Sequence, residues 1–253
     1  GADFLSVVAM MEERLGVTVL PLQLPIGAEG EFRGVVDLLG QRALIWDRDD
    51  ASAPYREAEV PEELRAAVEQ WRTLLIEAVV EQDEAALNAY LSGEALDVEL
   101  LRACIRRGVL AGAFVPALAG SAFRNRGVEP LLDAVLDYLP APEELRRPHD
   151  DLVSDAEAPF AALAFKLVSD DHGAMVFVRV YRGRLRRGDV LLNASTGRSE
   201  RVSRLYEVHA DKRVEREFIE AGDIAALVGL KETLTGHTLT DPAHPLQLEN
   251  ISL

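Results

Sequence analysis

The residues best placed to do chemistry are Gly120, Ser121 and Ala122. There the apolar run "AFVPALA" of residues 113–119 stops, and an amphipathic stretch begins after Gly127. A strand, a small polar turn and a helix in that order form the corner where α/β proteins bind ligands. Such a turn can aim backbone N–H groups at a carbonyl oxygen on a planar base. Its small residues let the base approach closely, and the Ser hydroxyl can brace the loop. Alone, the same spacing also describes an ordinary turn before a helix.

Other motifs carry less. Asp37-Leu38-Leu39-Gly40 has the D-x-x-G spacing that meets a γ-phosphate in GTPases, but it sits in a predicted hairpin and no G-x-x-x-x-G-K-[ST] occurs anywhere. It is assigned to the turn. Arg187-Gly188-Asp189 falls between two strands, where Gly-Asp is ordinary turn chemistry. Asn193-Ala194-Ser195 would accept a glycan only in a secreted protein. The five histidines (His149, His172, His209, His237 and His244) lack metal-ligand spacing and have no Cys companion. No nucleophile–base constellation is nominated, so no catalytic residue and no metal ligand is expected. Cys104 is the lone cysteine, among apolar neighbours, and fits a reducing cytoplasm.

The elements around the turn follow from periodicity. Residues 3–15 place Phe4, Val7, Val8, Met11 and Leu15 at helical spacing, with Gly16 as the stop. "VTVLPLQLPIG" reads as one strand, at an edge or an end because of its prolines. Residues 31–47 read as a hairpin about Leu39-Gly40-Gln41. Residues 61–81 read as a helix with the stripe Leu64, Val68, Trp71, Leu75 and Val79. Helices near 83–91 and 97–110, a strand at 113–119 and a helix at 127–138 follow. Four prolines and many charges mark 140–159 as a linker. Beyond it, short strands broken every ten residues or so predict a small antiparallel barrel or sandwich. No run approaches the roughly 18 apolar residues of a membrane span.

Charge separates the two parts. The net charge is −16; residues 1–157 hold 14 Lys/Arg against 30 Asp/Glu, and residues 158–253 hold 13 against 13. Glu62, Glu63, Glu69 and Glu77 crowd the helix at 61–81, which is read either as a solvated face or as a docking face for a basic partner. Arg182, Arg184, Arg186, Arg187, Arg198 and Arg201, with Arg179 and Arg204 beside them, form a basic stripe able to meet phosphates. Strand alternation keeps Arg179, Arg182 and Arg184 from all sharing one face with the later arginines.

In order along the chain, "GADF", "RLGVTVLPLQLPIGAEGEFRGVVDLL", "GSAFRNRGVEPLLDAVLDYLP", "EAPFAALAFKLVSD" and "AGDIAALVGLKETLTGHTLTD" resemble bacterial elongation factor G. The resemblance covers essentially all 253 residues. It implies a multi-domain α/β fold plus an all-β translation-factor barrel. Residues 1–139 would be the C-terminal part of a GTPase domain, including an inserted α+β subdomain at about 17–112. Residues 140–157 would be the linker and 158–253 the β-barrel second domain. The start at "GADF", without Met, is that expected of an excised internal fragment.

By the same resemblance, Ser121 and Ala122 would be the last guanine motif, with the Ala122 N–H facing the guanine oxygen. The Asn-Lys-x-Asp motif and the phosphate loop of the family do not occur in the chain. GTP or GDP with Mg²⁺ is therefore expected of the full-length parent, and no cofactor or hydrolysis of the fragment alone. The implied parent is a cytoplasmic, ribosome-dependent GTPase promoting movement of tRNA and mRNA. The implied partners are the ribosomal stalk protein for the acidic helix and small-subunit ribosomal RNA for the arginines. Neither membrane nor DNA is an expected partner. Two departures from the family pattern are His237 in "TGHTL", where Asp is usual, and Asp170-Asp171-His172-Gly173 after "FK". They leave open a paralogue acting in ribosome recycling or protection. A stand-alone stalk- or RNA-binding module is the remaining alternative.

Overall fold

A computed structural model of the chain describes residues 2–46, 54–144, 154–170 and 173–248. His149, Asp171 and His172, and residues 145–153 of the expected linker, lie outside the described residues. The chain divides into two compact units, residues 1–139 and 140–253.

The first unit opens with α1 (Phe4–Leu15), whose N-cap Asp3 accepts from the Ser6 N–H and whose C-cap Gly16 is left-handed. Residues 17–26 do not form one strand. They split at Leu22 into β1 (Val19–Pro21) and β2 (Gln23–Ile26), which join different sheets. The split lets Pro25 sit on an edge strand, where its missing N–H costs least. β3 (Gly34–Asp37) and β4 (Arg42–Ile45) make the expected hairpin, and β5 (Arg56–Ala58) extends it, in the antiparallel order β2-β3-β4-β5.

Three helices cover that sheet: α2 (Arg65–Val80), α3 (Glu84–Leu91) and α4 (Val98–Ala111). Asp83 and Asp97 cap α3 and α4 by accepting from Ala86 and Glu99. The core collects Leu24, Val36 and Leu38 from the sheet, Val68, Leu75 and Val79 from α2, and Leu101 and Ile105 from α4. β6 (Val115–Ala117) returns to pair parallel with β1. α5 (Val128–Tyr138) then closes the unit. The turn between β6 and α5 is the one read from sequence as base-binding.

The second unit is sheet-rich. Its strands are β7 (Ala161–Asp170), β8 (Gly173–Arg182), β9 (Arg184–Arg186), β10 (Val190–Asn193) and β11 (Arg198–Arg201). They continue as β12 (Arg204–His209), β13 (Lys212–Arg216), β14 (Phe218–Glu220), β15 (Ile224–Val228) and β16 (Thr238–Thr240). Eight of them form one antiparallel sheet, β11-β10-β16-β7-β8-β15-β12-β13, and β14 pairs with β9. Val178, Leu191, Leu205, Ile219, Leu227 and Leu239, from six different strands, meet in one core. Register shifts within β7–β8 bend the ribbon. The result is barrel-like. Among the described residues no strand pairing joins β11 to β13, so the expected barrel is a curled sheet rather than a hydrogen-bonded ring. No helix among the described residues is long and apolar enough to cross a membrane.

Candidate functional site

Ser121 and Arg126 form an antiparallel bridge, exchanging both backbone hydrogen bonds at 2.8 and 3.1 Å. Between them Ala122–Arg124 makes one 3₁₀ turn, and Asn125 closes it in the left-handed region. The turn is pinched at its base by two glycines. A Cβ on Gly120 would stand 2.9 Å from the Arg126 carbonyl oxygen. One on Gly127 (φ 82°) would stand 2.7 Å from that of Ala119. Among the described residues, no protein acceptor takes the N–H of Ala122 or Phe123, as expected at the start of a short helix. Ala122 is exposed and Ser121 half-buried. The loop thus presents free N–H donors beside a small side chain, which suits a base carbonyl oxygen.

The loop is held from the first sheet. Arg126, only 8% exposed, donates from Nη1 to the Phe32 carbonyl. Arg124 Nη1 donates to the Gly30 carbonyl at 3.0 Å, and the buried Gln23 Oε1 accepts from the Ala119 N–H at 3.4 Å. Phe32 and Ala119 also share a small apolar cluster with Val35, Leu44 and Trp46. Sequence reasoning missed Arg124, Arg126 and Gln23. Their partners lie 94 to 96 residues away, which leaves no local signal.

The four acids are all exposed. Glu62 and Glu63 lie on a 3₁₀ turn before α2 and pair with Arg65 at 2.7 Å and Arg33 at 3.9 Å. Glu69 and Glu77 stand on α2 eight residues apart, on neighbouring parts of its outer face. Glu77 accepts from the Tyr90 hydroxyl at 3.2 Å, and the nearby charge, after burial, raises the tyrosine's pKa. Arg72, on the same helix, turns inward and away from these acids. It donates to the carbonyls of Leu38 and Leu39 at 2.5 and 2.6 Å, and burial lowers its pKa against the pull of Asp37.

The arginines are not one stripe. Arg184 and Arg186 flank the buried Leu185 and share the outer side of β9, and both line an open groove of about 620 Å³ with Phe160 and His244. Arg198 and Arg201 lie on the edge strand β11, and Arg182 ends β8. At least three of the six are already matched to carboxylates: Arg184 to Glu220 at 2.7 Å, Arg187 to Glu215 at 3.1 Å and Arg198 to Glu232 at 2.6 Å. Arg201 Nε donates to the Gly188 carbonyl.

Motifs assigned to turns sit in turns. Asp37 Oδ1 accepts from the Leu39 N–H at 3.0 Å, and Asp189 Oδ2 from the Arg186 N–H at 2.8 Å. Asn193 is fully buried and accepts from Ser195 and Thr196. His237 Nδ1 accepts from the Leu234 N–H at 3.1 Å, which leaves its ring proton on Nε2. No described group of three or more His, Cys, Asp or Glu side chains is arranged to hold a metal ion.

The family model Elongation factor Tu domain 2 matches residues 173–240. Elongation factor G of Gluconobacter oxydans (strain 621H) is 44% identical, covering 99% of this chain and 38% of its own length. Elongation factor G 2 of Shewanella denitrificans is 48% identical, over 98% of this chain and 37% of its own. A crystal structure from Thermus thermophilus superposes with a TM-score of 0.78 at 31% identity, covering 97% of this chain and 35% of that one. The chain therefore spans less than two-fifths of the length of these relatives.

Proposed function

Since the chain belongs to the elongation factor G family, we propose that it is the segment of a ribosome-dependent GTPase that closes the guanine end of the nucleotide site. The parent hydrolyses GTP in the cytoplasm to promote tRNA–mRNA translocation. The observation that carries this reading is the Ser121-Ala122 loop, pinned at its base and tip yet with the Ala122 N–H free.

Ala122 N–H donates to the 6-oxo group of guanine, and the Ser121 backbone keeps the turn closed. Adenine presents an amino donor at that position, so two donors would face each other. Bound Mg²⁺ would neutralise the charge developing on the phosphates in the parent. The residues described here fit the base alone. With no G-x-x-x-x-G-K-[ST] in the sequence, the chain by itself does not hydrolyse GTP.

The acidic outer face of α2 docks the basic stalk domain, and Arg184 and Arg186 on β9 meet small-subunit ribosomal RNA. Support for the first is the exposure of Glu69 and Glu77; for the second, the shared outward face of the two arginines. A paralogue acting in recycling or protection of ribosomes is the second reading. The room for it comes from the departures at His237, in a turn where the family pattern has Asp, and at Asp170-Asp171-His172-Gly173.

Calorimetric titration of the 253-residue chain with GDP and Mg²⁺ tests the incomplete site. The expected outcome is no heat from a sample that melts cooperatively. Micromolar binding abolished by Ala122→Pro would show that the loop has nucleotide-binding partners within this chain, and the incomplete-site reading would fall.

A further inference from the structure

We infer that Arg126, assisted by Arg124, is the positioning residue that sets the register of the base-reading loop; this rests on the guanine reading above. Arg126 acts twice. Its backbone closes the loop against Ser121, and its buried guanidinium anchors the same residue to the Phe32 carbonyl. Arg124 fixes the tip of the loop to the Gly30 carbonyl at 3.0 Å. Ala122 lies between the bridge residue Ser121 and these two anchors, so its N–H direction is set by all three. Gln23, at the start of β2, holds the other base of the loop through Ala119. The stretch 23–32 is thus the cradle of residues 119–126.

These ties touch neither phosphate nor metal. Cutting them releases the donor that reads the base and leaves any phosphate contacts unchanged. The consequence is a change in base choice rather than a uniform loss of nucleotide binding. General destabilisation would instead weaken every nucleotide together, because it lowers the folded fraction alone.

The test uses the complete translation product that contains this chain, with Kd values for GDP and ADP read by competition against a fluorescent nucleotide. Arg126→Ala is expected to narrow the GDP-over-ADP preference about tenfold, equivalent to about 1.4 kcal/mol. Arg126→Lys, which keeps a cationic donor, is expected to recover most of it. Equal weakening of both nucleotides, or an unchanged preference, would overturn the inference while leaving the guanine reading standing. A wild-type protein that binds neither nucleotide overturns that reading and the inference with it. Should Arg126→Ala fail to fold, Arg124→Ala removes a tie nearer the surface. It must narrow the preference in the same direction, by a smaller factor, or the inference fails.

Discussion

At the scale of single residues, the second unit owes one of its loops to a buried carboxylate. Glu200, 7% exposed, accepts from the backbone N–H groups of Lys231 and Glu232 and from the Thr233 hydroxyl. Asn193 extends the cluster to Thr233 and His237. Burial alone would raise the carboxyl's pKa, but these hydrogen bonds outweigh it and hold the pKa below the usual value. A carboxylate with a depressed folded-state pKa stabilises the fold above its unfolded pKa, about 4.3 for Glu, and the contribution fades as pH falls through the lower, folded value. Glu200→Gln is therefore expected to cost about 1–3 kcal/mol at neutral pH. Below about pH 4.3 the difference from wild type should shrink. Melting curves from acid to neutral pH check this; a constant gap across that range would remove Glu200 from the acid response.

At the scale of elements, identical side chains on similar helices play opposite parts. Leu75 of α2 is 2% exposed inside the first core, whereas Leu136 of α5 is 78% exposed. Leu75→Ala is expected to cost about 2–5 kcal/mol. Leu136→Ala should stay within about 0.5 kcal/mol in this chain, since so exposed a side chain has little packing to lose. Urea unfolding of both variants gives the comparison. A large cost for Leu136 would mean that the outer side of α5, with Leu131, Leu132 and Val135, is covered in solution.

The same contrast explains what the sequence makes legible. The helices can be read because their stripes and caps are local: Val68, Leu75 and Val79 on α2, Asp83 and Asp97 before α3 and α4. The hairpin at Leu39-Gly40-Gln41 is legible for the same reason. β13 is not, because Lys212–Arg216 is an exposed edge strand with Val214 as its one apolar residue. β5, β14 and β16 have three residues each and form only by pairing with distant or longer strands. The turn at Gly120–Ala122 is visible as small residues between strand and helix. Its anchors are not, since Arg124 and Arg126 look like surface charges until Gly30 and Phe32 are brought beside them. The arginine stripe fails in the opposite way: residues close in sequence are dispersed over β8, β9 and β11, and Arg184, Arg187 and Arg198 are matched to acids.

For the whole molecule, charge and compactness divide at nearly the same place. Residues 1–139 hold 12 Lys/Arg against 24 Asp/Glu, and residues 140–253 hold 15 against 19. Each unit has its own apolar core, the first around Leu75 and Ile105, the second around Leu205 and Leu227. A unit with its own core can fold alone. Residues 1–139 and 140–253, produced separately, are each expected to melt cooperatively. If the proposed docking face is that of α2, the first piece alone should bind the basic C-terminal domain of the stalk protein. Exposed opposite charges attract over about 10 Å at about 0.1 M salt and much less at about 1 M, so that binding should weaken steeply as salt rises. Glu69→Lys with Glu77→Lys should weaken it further while moving the melting temperature little, because both side chains are exposed and only the exposed Tyr90–Glu77 hydrogen bond is lost. Calorimetry at low and high salt decides the matter. Binding by residues 140–253 instead, or binding indifferent to both salt and the double substitution, would remove the acidic helix from the contact and leave its charge as a solvated face.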